Sequence, residues 1–137
     1  MPRVTAVLET CLYVEDLQRS ARFYEELFGF RRMDSDDRFC AFDVGGRSVL
    51  LLFRRGSSRE PIAIQEGLIP PHDGSGPIHF ALAIPSEELA IWEEHLAESG
   101  IVLESRVRWA RGGQSLYFRD PDNHLVELAT PGLWPNY

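Results

Sequence analysis

Two stretches of this chain, LETCLYVEDLQRSARFYEELFGF at residues 8–30 and IHFALAIPSEELAIWEEHLAESGI at residues 78–101, follow one plan. Each opens with strand-like alternation, switches to a helical period and stops at a glycine. Glu9 and His79 stand at equivalent places, as do Val14 and Ile84, at a constant offset of 70 residues. A repeat of this kind restricts the fold to two copies of one supersecondary unit, because the second half obeys the same packing rules as the first.

In the first copy Asp16 is a good N-cap, and Leu17, Ala21, Tyr24 and Leu27 or Phe28 form the apolar stripe of a helix. Gly29 supplies the left-handed stop. In the second copy Ser86 is the expected cap, Leu89, Trp92 and Leu96 the stripe, and Gly100 the stop. Strands are expected at about 30–33, 37–44 and 47–54 in the first copy, the last two joined by Gly45-Gly46. In the second they are expected at about 101–108, 113–119 and 124–130, with Asp120-Pro121-Asp122-Asn123 as the turn. Each copy therefore reads β-α-β-β-β, an α+β arrangement within one domain. Module 1 spans about 1–56, a linker about 54–77 and module 2 about 77–132. The linker is rich in Pro, Gly and Ser and reads either as a plain connection or as a flap over a site.

A length of 137 residues with 44% hydrophobic side chains suits a small globular protein with a real core. No apolar run is long enough to span a membrane, and the first ten residues lack a signal peptide's features, so a cytoplasmic location is expected. The formal net charge of −7 argues against nucleic acid, whose phosphates demand a basic face. Cys11 and Cys40 are the only cysteines, and with no CxxC they read as buried, reduced thiols.

Side chains alternate between the two faces of a strand. In IHFALAI, Ile78, Phe80, Leu82 and Ile84 form a bulky face for the helix, leaving His79 beside Ala81 and Ala83 on the other. In the first copy Leu8, Thr10, Leu12 and Val14 face the helix, and Glu9, Cys11 and Tyr13 face away. A carboxylate inside a sheet is costly unless it is paired or bound to a metal. The last strand places a further one, Glu127, among apolar neighbours. If the modules pack about a pseudo-twofold axis, the equivalent residues Glu9 and His79 face each other. One imidazole and two carboxylates suit a divalent ion: Fe, Mn, Zn, Ni or Co. The same residues also fit a Glu9–arginine pair and a hydrogen-bonded core histidine.

Taken together, CLYVEDLQRSARFYEELFGF, GPIHFALAI and LYFRDPDNHLVELA resemble the vicinal oxygen chelate superfamily over nearly the whole chain. That group includes glyoxalase I, extradiol dioxygenases, fosfomycin-inactivating enzymes and bleomycin-binding proteins. The resemblance implies paired βαβββ modules in a cupped eight-stranded mixed sheet, the glyoxalase-like fold. It implies a metal held by Glu9, His79 and Glu127, and a homodimer. Glyoxalase I has a fourth ligand on the last strand of its first module, where this chain has Val49-Leu50-Leu51-Leu52. Three protein ligands would leave positions open for water or substrate.

Tyr117 lies ten residues before Glu127, as in both the extradiol and the fosfomycin-type patterns. The extradiol pattern also wants a histidine about seven residues before Leu116, where Arg108-Trp109-Ala110 stands. In the fosfomycin-type pattern a threonine occupies the place of Cys11, and a polar loop precedes the tyrosine. Arg111 in that loop is suited to clamp an anionic group. The resulting expectation is a metal-dependent lyase, isomerase or dioxygenase acting on a small oxygen-rich molecule that chelates the ion through adjacent oxygens. Tyr117 and Glu127 carry the chemistry, and Arg111 and Cys11 contact the substrate. The alternative is a non-catalytic drug-binding protein of the bleomycin-resistance type. His124, His95 and His72 are placed at the surface, and Trp134 and Tyr137 over an apolar edge.

Overall fold

Leu12 and Val14 are fully buried and Glu9 is exposed, the alternation of a strand with one covered face, and this segment forms β1 (Glu9–Val14). Leu8 lies outside the strand and is exposed, so the helix-facing row begins at Thr10, one position later than the sequence pattern suggests. The computed structural model describes residues 1–137 and divides into two units, Met1–Ser75 and Gly76–Tyr137.

In the first unit α1 (Leu17–Phe28) follows β1. The Asp16 side chain accepts from the Arg19 backbone N–H at its start, and Gly29 ends it with φ 65°. Leu17, Ser20, Ala21, Tyr24 and Leu27 are its buried side. Then come β2 (Arg31–Ser35), β3 (Phe39–Val44) and β4 (Ser48–Arg54), in the sheet order β1-β4-β3-β2. β1 runs parallel to β4, and the other pairs are antiparallel. The linker is not irregular throughout. IAI and GLI pair as a hairpin, β5 (Ile62–Ile64) and β6 (Gly67–Ile69), turning at Gln65-Glu66. Its alternation is only three residues per strand, too short to stand out among the surrounding prolines.

In the second unit β7 (His79–Ala83) leads through a 3-10 turn at Ser86–Glu88 into α2 (Leu89–Glu98). Ser86 makes no side-chain capping bond; it opens the 3-10 turn instead, and Glu88 is the residue before α2. Pro85 fixes the entry to that turn in an extended conformation, and α2 starts two residues later than a cap at Ser86 implies. β8 (Ser105–Arg108), β9 (Gln114–Arg119) and β10 (Leu125–Ala129) complete the sheet order β7-β10-β9-β8. Only residues 105–108 of the expected 101–108 segment pair. The chain first reverses at Gly100, φ 73°, with Ile101 N–H bonded to the Leu96 carbonyl. β10 is parallel to β7 and antiparallel to β9, repeating the first unit's topology. Two βαβββ units with mixed sheets make this an α+β protein of glyoxalase-like fold.

Three surface expectations fail. His124 is 1% exposed, its backbone N–H and its ring Nδ1 both bonded to the Asp120 carboxylate at 2.8 Å. The turn folds over this pair, helped by Asn123 at φ 67°, so a residue next to a polar turn ends up inside. His72 is half-buried, with Nδ1 2.6 Å from the Tyr13 hydroxyl. Trp134 is exposed, whereas Tyr137 folds back and donates its hydroxyl to the Ala129 carbonyl at 2.7 Å.

Removing the Asp120 carboxylate leaves the buried His124 ring and the His124 and Asp122 backbone N–H groups without their acceptor. Asp120→Ala is therefore expected to lower stability by about 3 kcal/mol. The exposed cap variant Asp16→Ala should lose only about 1 kcal/mol. Urea unfolding midpoints of the two variants check the ranking.

Candidate functional site

The site grows from the register of β9 and β10. Glu127 lies directly opposite Tyr117 in the antiparallel pair, so both side chains leave the sheet on the same face, with Ser115 two residues along. The partners Leu116, Phe118, Val126 and Leu128 bury the other face. Glu127 is itself only 5% exposed, and a buried carboxylate has to find donors. Oε1 accepts from the Ser115 hydroxyl at 2.5 Å and from the Tyr117 hydroxyl at 3.0 Å. Burial, together with the hydrogen bond and charge of Glu127, pushes the Tyr117 hydroxyl above its ordinary pKa, so it stays a donor at neutral pH.

The other oxygen, Oε2, points at His79. In the parallel pairing of β7 with β10, Ala81 lies opposite Glu127 and His79 opposite Leu125. The small Ala81 leaves the diagonal open, and His79 Nε2 sits 3.1 Å from Oε2. Its other nitrogen, Nδ1, is 2.9 Å from the Leu125 carbonyl. A carbonyl can only accept, so Nδ1 carries the proton. In a neutral ring Nε2 then presents a lone pair to a carboxylate lone pair. Two acceptors at that distance are stable only with a positive charge between or upon them. A proton shared by the two groups or a bound cation answers that need. Donors about 2.1 Å from one ion and at right angles lie about 3.0 Å apart, so this pair fits two coordination positions of a divalent metal. His79 is about half-exposed, which leaves access from solvent.

Glu9 lies at the start of β1 in the first unit, exposed, so the burial penalty expected of it does not arise. Cys11 and Tyr13 share its face of the strand. Cys11 is half-buried rather than buried, and Cys40 is buried. Nowhere do three or more His, Cys, Asp or Glu side chains gather into a group that could hold a metal. The two donors that meet are His79 and Glu127. Arg111 is exposed in the loop between β8 and β9. A cleft of about 560 Å³ lies between α2 and the β8–β9 pair, lined by Leu89, Glu93, Arg106 and Arg108 among others, but His79, Tyr117 and Glu127 take no part in it. The residue that the sequence reading missed is Ser115. Its signal was available: it shares the strand and the face of Tyr117, two positions away.

A sequence profile of the Glyoxalase/Bleomycin resistance protein/Dioxygenase superfamily matches residues 6–128. The chain is 32% identical over 122 residues to the metallothiol transferase FosB of Bacillus licheniformis, covering 88% of this chain and 72% of that protein. It is 30% identical to a catechol-2,3-dioxygenase of Bacillus subtilis, spanning 38% of that longer protein. Among solved structures, a lactoylglutathione lyase from Agrobacterium tumefaciens superposes with a TM-score of 0.87 at 31% identity, over 98% of this chain and 99% of the other. The fosfomycin resistance protein FosX of Listeria monocytogenes, in complex with Mn(II) and sulfate, shares the fold at a TM-score of 0.68 and 24% identity, over 93% and 91% of the two chains.

Burial raises the Cys40 thiol to about 11 and also lifts that of Cys11, which is further disfavoured by Glu9. Raised values mean scarce thiolate below pH 9. In the native protein at pH 8, iodoacetamide should therefore label both slowly, Cys11 ahead of the buried Cys40 by tenfold or more, as read by mass spectrometry.

Proposed function

The chain belongs to the Glyoxalase/Bleomycin resistance protein/Dioxygenase superfamily, and from that membership we propose that it is a metal-dependent enzyme acting on a small oxygen-rich substrate. The observation that carries this reading is the pair of facing acceptors, His79 Nε2 and Glu127 Oε2 at 3.1 Å. Glu9 is proposed as the third ligand, supplied by the first module, and the working form as a homodimer. The unpaired outer edge that β1 and β7 each present in their own sheets supports association, because open strand edges seek a partner.

A divalent ion bound there would act as a Lewis acid toward adjacent substrate oxygens. The chain's own groups do the rest. The Leu125 carbonyl fixes the tautomer of the neutral His79 ring, in which Nε2 offers its lone pair. Tyr117, held protonated beside Glu127, is placed to donate to a substrate oxygen as negative charge builds on it. Glu127 is the candidate proton acceptor, since its hydroxyl donors can reorganise as its charge changes. Arg111 would orient an anionic group, and Cys11 lines the Glu9 face of β1. Similarity to a metallothiol transferase and to a lactoylglutathione lyase favours thiol additions and thiol adducts as the first reactions to try.

Protein purified without chelators should carry near-stoichiometric metal by elemental analysis, and Glu127→Ala and His79→Ala should lose most of it. Glu9→Ala should weaken retention by tenfold or more. Trivial metal in the unaltered protein, with small molecules still bound, would instead mark a sequestering protein whose His79–Glu127 contact is an ordinary ion pair.

A further inference from the structure

The carboxylate of Glu127 is the end of a longer chain of hydrogen bonds. The Trp109 indole N–H donates to Ser115 Oγ at 2.8 Å, and Ser115 donates on to Glu127 Oε1 at 2.5 Å. The direction is fixed by chemistry. An indole N–H can only donate, and the single hydroxyl proton of Ser115 goes to the carboxylate. Ser115 is 1% exposed and Trp109 39%, so the chain runs from the surface to a buried charge.

Trp109 belongs to the loop that carries Arg111. That loop is closed on itself by Trp109 N–H to the Gly113 carbonyl at 2.8 Å and Gly112 N–H to the Trp109 carbonyl at 2.9 Å. It is also clamped at its far end. A Cβ on Gly113 would lie 2.6 Å from the Gly132 carbonyl carbon, so the two backbones touch and only glycine fits. Trp109 thus belongs to a loop held at both ends, and its indole is tied to Ser115.

We propose that Ser115 and Trp109 are positioning residues that hold Glu127 with Oε2 turned toward His79 and tie that orientation to the Arg111 loop. The terminal torsion of a glutamate is broad, so a carboxylate with one loosely held oxygen samples many orientations. Two hydroxyls on Oε1 remove that freedom, and the shorter bond is the one from Ser115. The indole donor occupies a lone pair of Ser115, whose hydroxyl donates to Glu127 Oε1. The proposal rests on the metal reading above, and it gives that reading a second layer: outer partners of a ligand commonly set tenfold to hundredfold of metal affinity.

Zn(II) titration of the full chain by calorimetry at one fixed pH tests it. Ser115→Ala should bind Zn(II) about tenfold more weakly, with the melting temperature of the metal-free protein little changed, and Ser115→Thr should restore most of the loss. Trp109→Phe keeps an aromatic ring and removes the donor; it should weaken binding a few-fold even if the alanine variant folds poorly. A spectroscopic arm uses a Trp92→Phe/Trp134→Phe background, in which Trp109 is the sole indole. Its emission should change on Zn(II) addition and should stop responding once Ser115→Ala is added. Zn(II) binding by Ser115→Ala as tight as in the unaltered chain, or threonine no better than alanine, overturns the positioning role while leaving the metal site standing. No Zn(II) binding by the unaltered chain overturns the metal reading and this proposal with it.

Discussion

The buried carboxylate of Glu127 organises the sheet face of the second unit. Glu127 stands in a strand whose flanking residues Val126 and Leu128 are fully buried, and water reaches little of it. Such a group destabilises the fold unless donors surround it. The sheet supplies them by register alone, Tyr117 directly across and Ser115 one pleat along, and it also brings His79 to the diagonal of the parallel neighbour. The same pairing that makes the sheet therefore makes the site, and no loop has to close for its central contacts to exist. The loop adds Trp109 and Arg111 around a centre already held rigid.

The first unit is held by different means. Tyr13 shares a face of β1 with Glu9, and its hydroxyl meets His72 from the far end of the linker at 2.6 Å. Its ring lies so close to Gly74 that a Cβ there would be 2.5 Å away. Phe53 stacks on the same tyrosine and meets the His72 ring edge-on. Arg59 and Asp73 pair at 2.6 Å across the base of the linker. The segment between, with its short hairpin, is thus a loop pinned at both ends rather than a free tether. Its exposed Ile64 and Leu68 contribute nothing to the first unit's core.

What the sequence made readable follows from periodicity. The duplication, the capped first helix and the alternation that puts Glu127 and Tyr117 on one face all come from residues repeating at the spacing of their element. What stayed hidden depends on contacts between segments. His124 follows a turn and so looked exposed, but Asp120 curls the turn back over it. Ser86 has the chemistry of a cap, yet the proline before it favours a 3-10 turn. Glu9 was judged costly from its apolar neighbours, and it stands in the open at the strand's first position. Ser115 shares the strand and face of Tyr117, and its role becomes visible only with its partner Glu127.

The duplication also shows how the two modules parted ways. The parallel pairings equate Val49 opposite Glu9 with Leu125 opposite His79, so Leu51 is the first module's counterpart of Glu127. The antiparallel pairings then equate Ala41 with Tyr117 and Phe39 with Ser115. Where the second module has a carboxylate and two hydroxyls, the first has leucine, alanine and phenylalanine. These side chains need no donors and tolerate none. The row at the head of the first strand stays polar in both, with Glu9 against His79 and Asp43 against Arg119. The second module carries a carboxylate-and-hydroxyl cluster inside its sheet face, and the first keeps its acidic groups, Glu9 and Asp43, in the row at the strand's head. An ancestral pair of identical modules would have placed two charged clusters in one small protein, each needing its own partners. With the cluster confined to the second module, the first has no buried carboxylate on its sheet face that needs donors.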